Sequence, residues 1–408
     1  MVRSEWPKYS VVLLAISFWI IWQHWAEPWF LLAISSGLYD PRVSDFFVFY
    51  VAGRSWLSHL NPYIVNPQCS IHCVPFVYPP ASLPFFGLFG LFNFNLAAQL
   101  WTVTYLALFL AALLALAITV KGGRRFLFLS LAVLLFFASF PLQFLIELSQ
   151  SDLLIASLAI LSLASQRLKH EFLSAVLLGM AILLKGTPIL LLVYFVAFRR
   201  DLLYLARCLA SITIIVGVSM FVVPFESYWY YMVKVAPTLS EAFALTENQS
   251  IVGVLSLAGL SKATLYVSLA GFGLFALFSF YASSNNWKDF FGRNTLRADG
   301  MFLMNVLMML FFGPRSTIYP YVWIILPSAL FLSALLIEKP NLAYLALVSL
   351  ATFLMNSNPY PAHLANFLFY RGVSPFILPG IIIGNMMMVI SLIPIYIRPK
   401  VIFRSSKT

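Results

Sequence analysis

Charge is what this sequence has least of. Asp, Glu, Lys and Arg make up 10% of its 408 residues, while 62% are hydrophobic. A soluble domain is typically about 25% charged. A single globule of this length cannot hide so much apolar surface from water, so the soluble class is excluded. The signatures of nucleotide-driven chemistry are missing too, with no P-loop and no GxGxxG following a strand. Three cysteines are too few for a disulfide framework. The stretch "CSIHC" at 69–73 resembles half of a metal site and has no second half. Cys69 and Cys73 form either a local disulfide or two free thiols. No tandem repeat or low-complexity linker divides the chain, which reads as one integral domain over 1–408.

What the sequence does have is long apolar runs. "LAAQLWTVTYLALFLAALLALAITV" is one of several that reach the roughly 18 residues needed to cross a bilayer as a helix. The fold class is therefore an all-α integral membrane protein, a polytopic helical bundle. The net charge of +11 does not point to nucleic acid, because the basic residues sit in short hops between apolar segments. That is the positive-inside pattern. Arg3 and Lys8 precede an apolar core as in a signal peptide, but no small-residue cleavage site follows. The segment is read as an uncleaved first helix.

Basic clusters at 121–125, 166–169, 199–207 and 288–297, with Lys339 and the C-terminal tail, are assigned to the cytoplasmic side. Keeping them all there predicts about twelve transmembrane helices with both termini cytoplasmic. The expected spans are 11–34, 95–119, 126–146, 152–165, 171–185, 187–198, 204–224, 264–283, 299–313, 317–337, 341–357 and 374–397. "YPPASLPFFGLFGLF" at 78–92 is too short to cross and is expected to lie in the outer interface. The large first extracytoplasmic loop, 35–94, then carries interfacial helices. The segments 225–250 and 358–373 also face outward.

Ionisable groups at the outer edge are the functional candidates. Asp45 stands against the aromatic stretch "FFVFYVAGRSWLSHL", whose apolar spacing suits an interfacial amphipathic helix. Ser44 or Asp45 is a fitting helix cap, and that plain role stands beside a catalytic one. "IELSQSDLL" places Glu147, Gln150 and Asp152 at an outer apex, either as a solvated turn or as a binding edge. Lys185 lies at another apex, either snorkelling to headgroups or holding a lipid phosphate. Arg315 in "GPRSTIYPY" is also outward, and guanidinium geometry suits phosphate. Arg42, Arg54 and Lys234 complete an outer basic set. "NQS" at 248–250 matches a glycosylation acceptor in pattern.

Taken in order, "SDFFVFYVAGRSWLSHLNPY", "FVYPPASLPF", "ELSQSDLLIASLAIL", "AVLLGMAILLKGTPILLLVYFVAFRR" and "ENQSIVGVL" resemble glycosyltransferase family 87, from about residue 43 to about 325. That family belongs to the GT-C membrane glycosyltransferases, whose members include mannosyltransferases that build phosphatidylinositol mannosides. The family's Asp-Phe and Pro-Tyr correspond to Asp45, Phe46, Pro62 and Tyr63. Its Tyr-Pro-Pro is Tyr78, Pro79 and Pro80 here. Its Gly-Gln-x-Asn reads Ser149, Gln150 and Asp152, and its Lys before a Pro is Lys185 before Pro188. Its Asn-Gln-Ser is Asn248, Gln249 and Ser250, a better account of "NQS" than glycosylation. A Ser-Pro-x-Ser-Trp followed by His is replaced by Gly313, Pro314, Arg315, Ser316 and Thr317, then Tyr319 and Pro320.

The resemblance implies a GT-C-type bundle and a polyprenyl- or dolichyl-phosphate sugar donor, commonly mannose, used on the extracytoplasmic face. The acceptor would be a glycolipid or glycan. Asp45 is then the general base, and a single base without a nucleophile implies inversion. Lys185 and Arg315, with Arg54 behind them, are expected to hold the donor phosphate. Tyr78, Gln150, Asp152, Asn248, Gln249 and Tyr319 are expected to bind substrate, with Tyr319 standing in for the missing His. The scheme requires no cofactor and no metal. The expected partners are membrane lipids, not nucleic acid. A transporter or flippase of lipid-linked sugars is the rival class, with a non-catalytic assembly factor behind it.

Overall fold

The computed structural model of the protein describes residues 45–64, 76–240, 248–284, 295–338, 340–356 and 380–397. Every regular element among them is helical. In order these are α1 (Phe46–Leu57), α2 (Leu83–Gly90), α3 (Phe94–Thr119), α4 (Gly123–Ala138), α5 (Phe140–Leu148), α6 (Asp152–Arg167) and α7 (Glu171–Leu184). They continue as α8 (Leu202–Ser219), α9 (Phe225–Tyr230), α10 (Ile251–Leu257), α11 (Ser261–Ser284) and α12 (Thr295–Phe312). The last are α13 (Ile325–Ile337), α14 (Leu342–Asn356) and α15 (Gly380–Ile397). The expected helix 11–34, Arg42, Ser44, Cys69, Cys73, Lys339, residues 358–373 and the C-terminal tail lie outside the described residues.

The described residues of the other eleven expected spans fall mostly on helical segments, but twelve crossings do not follow from them. Among the described residues five helices are long and apolar enough to cross unaided: α3, α8, α11, α12 and the run Tyr319–Ile337 that ends in α13. A sixth arises if α4 and α5, bent by 58° at Ser139, form one broken span. Pro141, just inside α5, removes a backbone donor there, and the Ser139 hydroxyl accepts from the Leu142 N–H instead. The segments α1, α7, 187–198, α14 and α15 are apolar but shorter.

The bundle is organised around α6. Fourteen of its sixteen residues are buried, so its neighbours cover it on every side. Ala156, Ser157, Ala159, Ser162 and Ala164 let those neighbours approach closely. The helix packs against α3 and α7, and α7 in turn packs against α8. Ser162, Ser174 and Tyr204 knit α6, α7 and α8 together, with both serine hydroxyls within about 3 Å of the tyrosine oxygen. After α7 the chain breaks into a 3-10 turn, Thr187–Leu191, and a π turn, Tyr194–Phe198. Asn305 of α12 repairs the break, accepting from the Tyr194 N–H and donating to the Leu190 carbonyl. Backbone polar groups at membrane depth need such substitutes.

As expected, residues 78–92 form a short element, α2, that cannot cross. It lies across α1 at very close range. A Cβ on Gly53 would stand 2.5 Å from the Phe86 carbonyl oxygen, and one on Gly87 would meet the Trp56 ring at 2.4 Å. The bare glycines let the two helices touch, and Phe46, Phe49, Phe86, Phe89 and Trp101 fill the space beneath them.

Candidate active site

Three consecutive residues, Gln150, Ser151 and Asp152, hold the site together. Helix α5 ends in a left-handed residue, Ser149, at φ 54°. The next amide, Gln150 N–H, donates back to the Leu145 carbonyl at 3.1 Å, closing a Schellman-type cap. Glycine is the usual residue at such a position, and Ser149 takes it here. Trp101, fully buried, donates its indole N–H to the Ser149 carbonyl at 2.9 Å. The turn is thus tied to α3 from below, and α6 starts immediately after it.

Each member of the triplet reaches a different segment. The Gln150 side-chain amide donates to Asp45 Oδ2. Asp45 occupies the N-cap position of α1, yet its carboxylate makes no capping bond there. Its own N–H donates to the Leu148 carbonyl at 2.9 Å, which pins the start of α1 to the end of α5. The capping role is therefore not what this carboxylate does. Ser151 shares a hydrogen bond with the Tyr78 hydroxyl at 3.0 Å. The Tyr78 carbonyl accepts from the Tyr63 hydroxyl at 2.8 Å. Burial pushes the Tyr78 hydroxyl pKa well above its ordinary value, and the charge of Asp152 adds to the rise. The group stays protonated and acts as a neutral hydrogen-bonding partner. Tyr63 is pushed upward as well, by burial and then by Tyr231.

Asp152 is the first residue of α6 and is 1% exposed. Both its oxygens accept from the Lys185 ammonium, at 2.8 and 2.7 Å. Lys185 follows the last residue of α7, in extended conformation, and its side chain is 23% exposed. The ammonium lies 5.7 Å from the centre of the Tyr319 ring, within cation–π range. The Tyr319 ring, where sequence reading expects a hydrogen-bonding substitute for His, thus faces the lysine. Trp323 donates its indole N–H to Asp152 Oδ1 at 3.2 Å. Ser151 and Trp323 carry no mark in the sequence reading. A serine has no distinctive signal, and a tryptophan inside an apolar run reads as membrane-facing surface.

The hydrogen bonds of the remaining candidates run to other partners. Arg54 is exposed and donates to the Tyr50 hydroxyl at 3.2 Å. Nine residues along α1 separate it from Asp45, about 13 Å of helical rise. The structure does not bring it to the acids. Arg315 donates to the Thr238 carbonyl. Asn248 and Gln249 are buried at 1% and 0% exposure. The Asn248 amide donates to the Pro314 carbonyl at 2.9 Å, and the Gln249 N–H donates to the Ser316 carbonyl at 2.7 Å. Tyr321 donates its hydroxyl to the Gln249 carbonyl. The 248–250 motif therefore braces the 313–317 loop that carries Arg315. Lys234 and Glu147 are exposed. Among the described residues no three metal-ligating side chains converge. An open concavity of about 430 Å³, lined by Lys169, His170, Glu171 and Arg207 among others, lies at the far end of α6, away from the acids.

The fold and site define an α-helical integral membrane protein with two carboxylates, an amide and an amine gathered at one end of its central helix. The family model described as glycosyltransferase family 87 matches residues 76–314, more than half of the chain, and the protein belongs to that family of glycosyltransferases. The stretch containing Asp45 precedes the matched residues. One relative is the polyprenol-phosphate-mannose-dependent alpha-(1-2)-phosphatidylinositol mannoside mannosyltransferase of Mycolicibacterium smegmatis. It is 25% identical over 367 residues, covering 84% of this chain and 79% of that protein. Another is the polyprenol-phosphate-mannose-dependent alpha-(1-2)-phosphatidylinositol pentamannoside mannosyltransferase of Mycobacterium tuberculosis. It is 29% identical over 290 residues, covering 68% of this chain and 63% of that protein. No solved structure matches the chain.

Proposed function

We propose that the protein moves a mannosyl unit from a polyprenyl-phosphate donor to a glycolipid acceptor of the phosphatidylinositol mannoside type. The reaction takes place on the extracytoplasmic face, with inversion at the anomeric carbon. The acceptor hydroxyl attacks that carbon while the bond to the donor phosphate breaks. Asp45 takes the hydroxyl proton. Lys185 neutralises the departing polyprenyl phosphate. General-base catalysis of this kind contributes on the order of 10²–10⁴-fold, and a preorganised cation at the developing charge adds to it.

The observation that carries this reading is the 150–152 triplet. Through Gln150 it holds the carboxylate of Asp45, and through Asp152 it holds the ammonium of Lys185. A base and a cation kept on residues two apart suit a displacement that loses a proton at one side and a phosphate at the other. Family membership and the donors named in both relatives support the donor class. Arg315 serves the phosphate from a braced loop, with Asn248 and Gln249 acting through that brace.

The test uses purified protein in proteoliposomes with radiolabelled polyprenyl-phosphate mannose and a phosphatidylinositol mannoside. Wild-type protein is expected to transfer label covalently to the acceptor. Asp45→Asn is expected to lose transfer by on the order of 10²-fold or more, with unchanged yield and thermal midpoint. Full activity in that variant overturns the assignment of the base. Label that crosses the bilayer unchanged, with none on the acceptor, overturns the enzyme reading in favour of a transporter.

A further inference from the structure

The proposed reaction needs a cation at the phosphate, and Lys185 provides one on a flexible four-carbon stem. A free lysine at an interface samples many rotamers and reaches for any nearby headgroup. This lysine is confined. Two of its contacts go to the two oxygens of Asp152. An ammonium has three N–H donors, so at least one is left for a phosphate oxygen. The face of Tyr319 bounds the ammonium at 5.7 Å.

Asp152 is itself held in place. It is 1% exposed, and a buried carboxylate requires charge pairing and hydrogen bonds. Lys185 supplies the charge, and the 3% exposed Trp323 supplies a further donor to Oδ1. The start of α6 adds the positive end of a helix dipole, since Asp152 is its first residue. Tyr319 and Trp323 belong to one short 3-10 segment, Tyr319–Ile324. That segment touches both members of the pair, the ring at the lysine and the indole at the aspartate.

We propose, resting on the donor-phosphate reading of Lys185, that Asp152 and Trp323 are positioning residues for this lysine and do not touch the sugar or the acceptor. Asp152 fixes the ammonium, and Trp323 fixes Asp152. Asp152 thereby leaves the set of substrate contacts expected from sequence, and Trp323, which no motif marks, enters the machinery.

The test is a double-mutant cycle in nanodiscs, with polyprenyl-phosphate mannose and a phosphatidylinositol mannoside as substrates. The variants are Lys185→Gln, Asp152→Asn, Trp323→Phe and the two doubles that combine each of the latter with Lys185→Gln. Lys185→Gln is expected to lower kcat/KM for the donor by on the order of 10²-fold. Asp152→Asn is expected to lose roughly ten-fold or more and Trp323→Phe a few-fold to ten-fold, as lost hydrogen bonds to charged groups do. Both losses are expected in donor KM and kcat, with acceptor KM unchanged. Each double is expected to be no worse than Lys185→Gln alone, because residues that act through one group are not additive. A merely structural role would lower all constants together and multiply in the doubles. Doubles that multiply, or a raised acceptor KM in Asp152→Asn, overturn the positioning roles while leaving the phosphate reading standing. Wild-type activity in Lys185→Gln overturns the phosphate reading itself. If Asp152→Asn does not fold, Trp323→Phe decides, since it keeps an aromatic ring and removes only the indole donor.

Discussion

A buried aspartate sits near each end of the central helix α6, Asp152 of the helix itself and Asp299 of α12, and the two are treated in opposite ways. At its start, Asp152 belongs to a set with two carboxylates and one ammonium, Asp45, Asp152 and Lys185. At its end, about 22 Å away by helical rise, Arg167 shares the fully buried Asp299 with Arg124. Here one acid serves two guanidinium groups, whose side chains are 12% and 14% exposed. Arg124 also donates to Thr295, to Ser333 and to the Leu330 carbonyl, so its donors are spent on α12 and α13. The Lys185 side chain at the other end is 23% exposed and keeps an N–H to spare. One end is a staple whose hydrogen bonds are used inside the protein. The other end keeps unused capacity, which a substrate needs and a staple does not.

Several substitutions can break or sharpen that contrast. Asp299→Asn leaves two guanidinium groups without their counter-charge. A loss of about 3–5 kcal/mol in stability is expected, as for other broken buried pairs, visible as reduced yield and a lowered thermal midpoint. Transfer per folded molecule should stay at the wild-type level, and a loss of activity in the folded fraction would erase the division between the ends. Gln150→Leu acts at the other end. It removes the donor to Asp45 and is expected to lower transfer by roughly ten- to hundred-fold, with little change in thermal midpoint.

Tyr78→Phe removes one bond to Ser151 and is expected to lower transfer by about three- to ten-fold, since a neutral hydrogen bond contributes about 1 kcal/mol. The pKa of Tyr78 is raised by burial, so its hydroxyl keeps its proton through the ordinary tyrosine value near 10. The ratio of variant to wild-type rate should therefore stay flat from about pH 6 to about pH 10. A ratio that changes with pH would mean the hydroxyl ionises and faces solvent. The smallest effect is Ser149→Gly. Relief of the left-handed strain at φ 54° is expected to raise stability by about 1 kcal/mol, read from the thermal midpoint with transfer unchanged.

Much of the site could be read from the order of motifs. Asp45, Tyr78, Gln150, Asp152, Lys185 and Tyr319 are picked out by that order, and the fold gathers them at one end of α6. Arg54 belongs to the outer basic set of the sequence, but nine residues of helical rise separate it from Asp45. Asn248 and Gln249 match the Asn-Gln-Ser of the resemblance and are expected there as substrate contacts; in the fold the Asn248 amide and the Gln249 N–H bond to the 313–317 loop. Asp299 has no signal of its own in the sequence because it follows a basic cluster, and its partners Arg124 and Arg167 stand in clusters that signal topology. Trp323 has no signal in the sequence, since only the fold brings its indole to Asp152.

The sequence by itself determined the membrane class, the helical periodicity, the short element at 78–92 and the family's series of motifs. These depend on composition and on neighbours in the chain. Tertiary structure alone decided which polar group each candidate touches. Gln150 meets Asp45 across 105 residues, Lys185 meets Asp152 across 33, and Trp323 meets Asp152 across 171. In an apolar medium a buried polar group must find a partner wherever the chain brings one. That choice is made by helix packing around α6, which the spacing of residues along the chain does not specify.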